Sequence, residues 1–284
     1  MIPMELTGAG GLRLAADGRG PEDAAPVLLL HGGGQTRHSW GGTAAALADR
    51  GWRAITIDLR GHGESAWSPE GDYQLVRFAQ DIDAVAGALA ERPFLIGASL
   101  GGLTSMLLAG ELHPGVAAGV VLVDIIPEME SSGAMRISEF MTAKSREGFA
   151  SLDEVADAIA AYNPHRPRPS DLTGLRKNVR ERDGRWYWHW DPAFGGDGEG
   201  ISPHEVTDTD RLHQAIDRII ADGVPLMLVR GRMSDLVSAE GAERFCRRFP
   251  TVEFVDVSGA GHMVAGDRND AFTDAVVDFL SRVG

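Results

Sequence analysis

Apolar residues fall into short unbroken runs separated by longer stretches in which they recur every three or four positions, and the two patterns alternate along most of the chain. The runs at 27–30, 52–57, 94–96, 116–123, 224–229 and 252–257 are rich in Val, Leu and Ile, as in strands buried on both faces. The stretches at 44–49, 75–90, 100–112, 239–248 and 271–282 have the spacing of helices with one buried face. Residues 11–16 are expected to form an edge hairpin strand. This alternation predicts an α/β fold, a mostly parallel, doubly wound sheet with helices on both faces.

The rhythm stops at Pro127 and resumes near Asp210, and between them prolines, arginines and tryptophans cluster. The expected organisation is a core of residues 1–126 and 211–284, interrupted by a mainly helical insertion at 127–210. Within the insertion, 152–162 has helical spacing, 164–169 reads as a stiff proline-rich connector, and 185–190 as a short strand or extended arm.

Composition adds bounds rather than detail. The chain has 284 residues, 43% hydrophobic and 24% charged, an ordinary globular balance. With 27 basic and 41 acidic residues its formal net charge is −14, which opposes binding to nucleic acid. A single cysteine, Cys246, permits no intrachain disulfide and fits a reducing compartment. The first residues carry no basic, apolar leader, and no apolar run approaches the ~20 residues that span a bilayer. A soluble, cytoplasmic protein without membrane contact is therefore expected, with a homodimer left open.

The chemistry concentrates in three segments. Phe94 to Gly102 runs from strand through Gly97-Ala98-Ser99-Leu100-Gly101 into a helix, the context in which a tight turn exposes a nucleophilic serine. Ser99 needs a base to take its proton, and His262 lies in a glycine-bounded loop after the last strand. The acid that would orient His262 is placed at Asp235, just beyond the strand before the last. Asp124, at the end of the run Val120 to Val123, is the competitor, read as a strand-end carboxylate that caps backbone N–H groups. The strand 27–30 ends in His31-Gly32-Gly33-Gly34, where backbone amides can approach a developing oxyanion; Gly33 and Leu100 are the expected donors and His31 a brace.

With these residues in place the chain resembles the α/β-hydrolase superfamily, in particular the members with His-Gly before a distant Trp and an Asp-x-Arg-Gly-His-Gly-x-Ser segment. Here these are His31-Gly32 with Trp40, and Asp58 to Ser65. The resemblance implies an α/β-hydrolase core whose insertion caps the active site. Epoxide hydrolases and haloalkane dehalogenases of similar outline place an aspartate at the elbow and usually a proline after the His-Gly pair; Ser99 and Gly34 depart from both. Carboxylesterases, lactonases, carbon–carbon bond hydrolases of ring-cleavage products and esterase-like perhydrolases remain.

The expected substrate is a small to medium carboxylic ester or lactone, cleaved through an acyl-enzyme without cofactor or metal. His204 and His213 lack a ligand set, and Cys246 reads as a half-buried helix residue. Gly34, Met129, Phe140, Trp186, Trp188 and Met263 are the expected substrate-binding residues. Trp186, Trp188 and Trp190 would share one face of an extended segment, as an aromatic wall or as packing. The basic run Arg176, Lys177, Arg180, Arg182 and Arg185 reads as a solvated helix face, with steering of a substrate carboxylate as the rival. The alternatives to an esterase are a vinylogous-diketone hydrolase and a small-molecule sensor that keeps the triad.

Overall fold

The computed structural model describes residues 1–163, 168, 171–195, 208–262 and 269–284, the side chain of Asn269 excepted. Met263, His204 and, apart from Arg168, the proline-rich connector lie outside the described residues.

The long apolar runs form the middle of an eight-stranded sheet. Its strands are β1 (Ile2–Thr7), β2 (Arg13–Arg19), β3 (Pro26–Leu30), β4 (Arg53–Ile57), β5 (Phe94–Ala98), β6 (Gly119–Val123), β9 (Leu226–Gly231) and β10 (Glu253–Val257), in the order β1-β2-β4-β3-β5-β6-β9-β10. The neighbours β4, β3, β5, β6, β9 and β10 pair in parallel, and β1 and β2 are antiparallel additions at one edge. Alternate side chains divide the interior in two. Leu28, Leu30, Leu95, Val120, Leu122 and Leu228 face one apolar layer, while Val27, Leu29, Ile96, Val121, Val123 and Val229 face the other. Both faces are thus buried, which is why these strands read as runs rather than alternations.

The first layer is closed by α2 (Leu75–Gly87), α3 (Leu100–Leu107), α6 (Thr209–Ala221) and α7 (Ala239–Arg248), through residues such as Phe78, Leu103, Ile216 and Phe245. The second is closed by α1 (Gly41–Asp49) and α8 (Asn269–Val283), through Ala44, Leu47, Phe272 and Val276. This is the expected doubly wound α/β architecture. β1 and α6 are additions to the elements read from the sequence.

Between β6 and α6 the described chain adds nothing to the main sheet. It forms α4 (Ser131–Thr142), α5 (Leu152–Tyr162) and a hairpin of β7 (Val179–Arg182) and β8 (Arg185–Trp188). The hairpin turns at Asp183-Gly184, with φ of 53° and 73°, the left-handed pair that matches strand twist. The basic run expected on a helix face is therefore spread over a short 3₁₀ turn, Thr173–Lys177, and this hairpin. The segment has its own apolar cluster, including Met141, Phe149, Val155, Trp188 and Trp190.

The sheet reverses its winding between β3 and β5, since β4 lies on one side of β3 and β5 on the other. Ligands of open α/β sheets bind outside the carboxyl ends of strands at such a point. His31 and Ser99 leave the sheet there, with Asp124 at the end of the neighbouring β6.

Candidate active site

Ser99 sits between β5 and α3 with φ 46° and ψ −110°. A side chain avoids this region, and holding one there costs on the order of 1–3 kcal/mol. The surroundings fix it: the Ser99 N–H donates to the Val123 carbonyl at 3.1 Å, and the Ser99 carbonyl accepts the Leu103 N–H at 2.9 Å. The turn is so tight that a Cβ on Gly97 would lie 2.2 Å from the Gly101 carbonyl oxygen, and one on Gly101 2.3 Å from that of Leu30. The glycines around Ser99 are thus a steric requirement of the elbow.

The loop after β3 passes directly beside the serine. A Cβ on Gly32 would be 3.3 Å from the Ser99 Cβ. The Gly32 carbonyl accepts the Gln35 N–H at 3.1 Å, and Gly34 has φ 72°, as the third residue of a type II turn requires. Leu100 is the first residue of α3, where backbone N–H groups have no partner within the helix.

Two buried imidazoles brace this loop. The His31 Nδ1–H donates to the Gly32 carbonyl at 2.8 Å, and its Nε2 accepts the Leu59 N–H at 3.0 Å. His189, which follows β8, accepts the Gly63 N–H at Nδ1, 2.8 Å, and donates from Nε2 to the Gly34 carbonyl, 3.2 Å. Each ring accepts an N–H at one nitrogen and must be neutral to do so. Burial, the largest cause, lowers the pKa of both. His62 lies between them, with ring centroids 5.2 and 5.9 Å away, and burial, reinforced by the neighbouring His31 ring, pushes its pKa down to about 3.

The segment from Asp58 to Ser65 is a scaffold behind the loop. Asp58 accepts the Arg37 N–H at 2.6 Å and the Glu64 N–H at 2.9 Å, and also pairs with the Arg37 guanidinium. Arg60 makes two hydrogen bonds to Asp81, at 2.7 and 2.8 Å.

The structure brings Asp124, and not Asp235, to His262. The His262 Nδ1 lies 2.7 Å from Asp124 Oδ2, with the carboxylate buried and the imidazole largely so. The same oxygen accepts the Ser234 hydroxyl at 2.6 Å, and Oδ1 accepts the Gly231 N–H at 3.0 Å. Asp124 has φ 52°, a turn that aims its carboxylate along the strand ends rather than onward with the chain. Asp235 instead forms a partly exposed ion pair with Arg136 at 2.7 Å. The loop after β9 does reach the site, but it contributes the hydroxyl of Ser234, one residue earlier. Asp124 caps a backbone N–H, as expected of a strand-end carboxylate, and holds the imidazole as well.

Ser99 and His262 open onto one cavity of about 340 Å³. Gly32, Gly33 and Gly34 form part of its wall. An apolar side is built from Ile137, Phe140, Met141, Ile159, Trp188 and Trp190. Trp188 and Trp190 are stacked, with centroids 4.7 Å apart and planes at 12°, and Phe140 stacks on Tyr162 at 4.2 Å. Burial raises the Tyr162 pKa to about 12, so the phenol stays protonated at neutral pH. Of the expected binding residues, Gly34, Phe140 and Trp188 line the cavity. Met129 packs on the main core, and Trp186 lies under the Arg176 guanidinium at 4.8 Å, paired through its backbone to Phe149. Trp186 shares a face of β8 with Trp188, but its ring is covered by the Arg176 guanidinium.

Cys246 is half-buried, and burial pushes its thiol pKa up. Among the described residues no group of three His, Cys, Asp or Glu side chains is placed to hold a metal ion. No described helix is long and apolar enough to cross a membrane.

A strained serine at the switch point of a doubly wound sheet, beside a glycine turn and an imidazole held by a carboxylate, defines an α/β hydrolase. The chain belongs to the α/β hydrolase fold family, whose model matches residues 25–268. It is similar to an esterase of Mycobacterium tuberculosis, 33% identical over 262 residues, 88% of this chain and 80% of that protein. It is also similar to the sn-1-specific diacylglycerol lipase of Mus musculus, 28% identical over 269 residues, 90% of this chain and 80% of the lipase. A solved α/β hydrolase from Novosphingobium aromaticivorans superposes with a TM-score of 0.81 at 28% identity, covering 99% of each chain. The protein is a hydrolase enzyme.

Proposed function

We propose that the protein is a serine esterase that cleaves a small to medium carboxylic ester or lactone through an acyl-enzyme. The observation that carries this is the Asp124–His262 hydrogen bond at 2.7 Å, in a cavity wall that also holds Ser99. With Nδ1–H committed to Asp124, the His262 Nε2 is left as the base. It takes the Ser99 proton as Oγ attacks the ester carbonyl, and Asp124 stabilises the imidazolium that forms. The Gly33 and Leu100 N–H groups receive the oxyanion, each such donor contributing about 3–4 kcal/mol in the transition state. Collapse expels the alcohol, which takes the proton from His262. Water, deprotonated by His262, then attacks the acyl-enzyme and releases the acid and Ser99.

Residues 127–210 act as a cap over residues 1–126 and 211–284, and Trp188, Trp190 and Phe140 offer the apolar surface on which an acyl or alcohol group packs. The esterase and lipase names of the relatives support ester chemistry. The arginines of the basic run, the rival reading of which is steering of a substrate carboxylate, are engaged elsewhere: Arg176 on Trp186, Arg180 with the Gly63 carbonyl, Arg182 on Tyr187 and Arg185 with the Glu147 and Gly148 carbonyls.

The test is turnover of a graded series of p-nitrophenyl esters and lactones by the wild type and Ser99→Ala, with a fluorophosphonate label located by peptide mass. Labelling at Ser99 and loss of turnover in Ser99→Ala are expected. Turnover that survives Ser99→Ala at the wild-type rate overturns the reading.

A further inference from the structure

The same cavity has a second, polar side, and its charge is opposite to that of the molecule. The chain carries a formal net charge of −14, yet the cavity wall contains no Asp or Glu side chain among the described residues and one ammonium, that of Lys177. Lys177 ends the 3₁₀ turn Thr173–Lys177 and is exposed to solvent as well as to the cavity. Its neighbours in the basic run are occupied by aromatic rings or backbone carbonyls, as described above. Among the described residues Lys177 pairs with no carboxylate, and its chain neighbour Asn178 lines the same cavity, as do Asn163 and Gln35.

His38 also lines this side, and it does not neutralise the ammonium. Burial, followed by the adjacent Arg37 charge, lowers its pKa, and Lys177 lowers it further. Asp17, the nearest carboxylate to His38, is bonded to the Arg37 guanidinium at 3.0 Å. An unpaired ammonium beside carboxamide donors, at the edge of an aromatic pocket, is complementary to a planar monoanion attached to an apolar chain.

We infer that the preferred substrate is an ester bearing a carboxylate remote from the scissile carbonyl, and that Lys177, with the carboxamides beside it, binds that carboxylate. The inference rests on the esterase reading for the reaction, but not for the binding. A monocarboxylate satisfies the single positive charge of this wall; a phosphate dianion would leave charge uncompensated. Without that anion Lys177 is an exposed lysine with no carboxylate partner among the described residues.

The binding arm uses Ser99→Ala, which cannot consume its ligand. Monomethyl adipate and ω-acetoxyhexanoate are each titrated against the fully methylated neutral form, with affinities read from tryptophan fluorescence. A charge-assisted hydrogen bond corresponds to a preference of about tenfold for the anion. That preference is expected to vanish in Ser99→Ala/Lys177→Met, to return in part with Lys177→Arg, and to persist in Ser99→Ala/Arg176→Met. Equal affinity for acid and methyl ester, or a preference that survives Lys177→Met, overturns the subsite. The turnover arm compares mono-p-nitrophenyl adipate with its methyl ester in the otherwise wild-type enzyme. Anion preference in binding without turnover of either ester keeps the subsite and removes the esterase reading. Turnover without anion preference in the binding arm does the reverse.

Discussion

Replacing Asp124 by Asn keeps the shape of the side chain but removes an acceptor that three donors share. Oδ2 receives the His262 Nδ1–H and the Ser234 hydroxyl, and Oδ1 the Gly231 N–H. A carboxamide has one oxygen, so its NH₂ must face at least one of these donors. The Gly231 N–H cannot turn away, which favours placing the oxygen there and the NH₂ towards His262. The imidazole then accepts at Nδ1 and carries its proton on Nε2, the nitrogen that has to deprotonate Ser99. This wrong tautomer lowers kcat about 10⁴-fold in the best-studied triad, equivalent to about 5.5 kcal/mol, and the same order is expected for Asp124→Asn. Asp235→Asn breaks a pair whose partners are 45% and 35% exposed, worth about 0.2–1 kcal/mol of stability, and should leave kcat within about threefold of wild type. The assay is steady-state kcat and kcat/KM on one p-nitrophenyl ester, with thermal unfolding alongside to show that both variants are folded. A larger kcat loss in Asp235→Asn, or less than about tenfold in folded Asp124→Asn, refutes the reasoning.

Ser99→Gly should abolish turnover while raising stability by about 1 kcal/mol, because glycine relieves the strain at φ 46°; chemical denaturation measures this, and a clear loss of stability contradicts the strain. Gly97→Ala puts a Cβ 2.2 Å from a backbone oxygen and should cost about 3 kcal/mol or more, seen as a large fall in Tm, whereas an unchanged Tm would mean that the elbow can open. His31, His62 and His189 are neutral in the fold and have lowered pKa values, so the unfolded chain binds more protons than the native one below about 6.5. Their contribution is complete above that pH and is lost as pH falls towards about 3 at His62, at about 1.4 kcal/mol per pH unit for each histidine. His62→Gln should reduce the slope of unfolding free energy between pH 6 and pH 4 by about one proton, and an unchanged slope refutes that role for His62.

The strands β3, β5, β6 and β9 were legible because burial on both faces fills them with apolar residues, Arg230 near the end of β9 being the one polar residue in the four. β1 was not, since its residues alternate between exposed and half-buried at the sheet edge. α6 did carry a signal: Asp208 accepts the Arg211 N–H as an N-cap, and Leu212, Ile216 and Ile219 follow at helical spacing. The expected boundary at Asp210 cuts through its first turn and separates the periodic residues 211–221 from their cap at Asp208. The Asp183-Gly184 pair likewise announces a hairpin, and would have moved the basic run off a helix. Ser99, His262 and the glycine loop are readable because each is bound to a local motif. The acid is not, since Asp124 and Asp235 both lie between Ser99 and His262 in the chain and both follow a strand. What separates them is a contact across 138 residues and a left-handed backbone turn at one aspartate. His189 is equally invisible from sequence, because its value lies in two backbone groups supplied by distant loops.

The position of Asp124 divides the proposed machinery unequally along the chain. Nucleophile, acid and oxyanion loop all precede the inserted segment, and the C-terminal part supplies the base, His262, together with the Ser234 and Gly231 donors that hold Asp124. A protein bisected in the exposed Asp183-Gly184 turn would yield an N-terminal fragment with a strained serine but no base, and a C-terminal fragment with a base but nothing to activate. Neither fragment could turn over an ester, so hydrolysis would report their reassembly directly, with little background from either half.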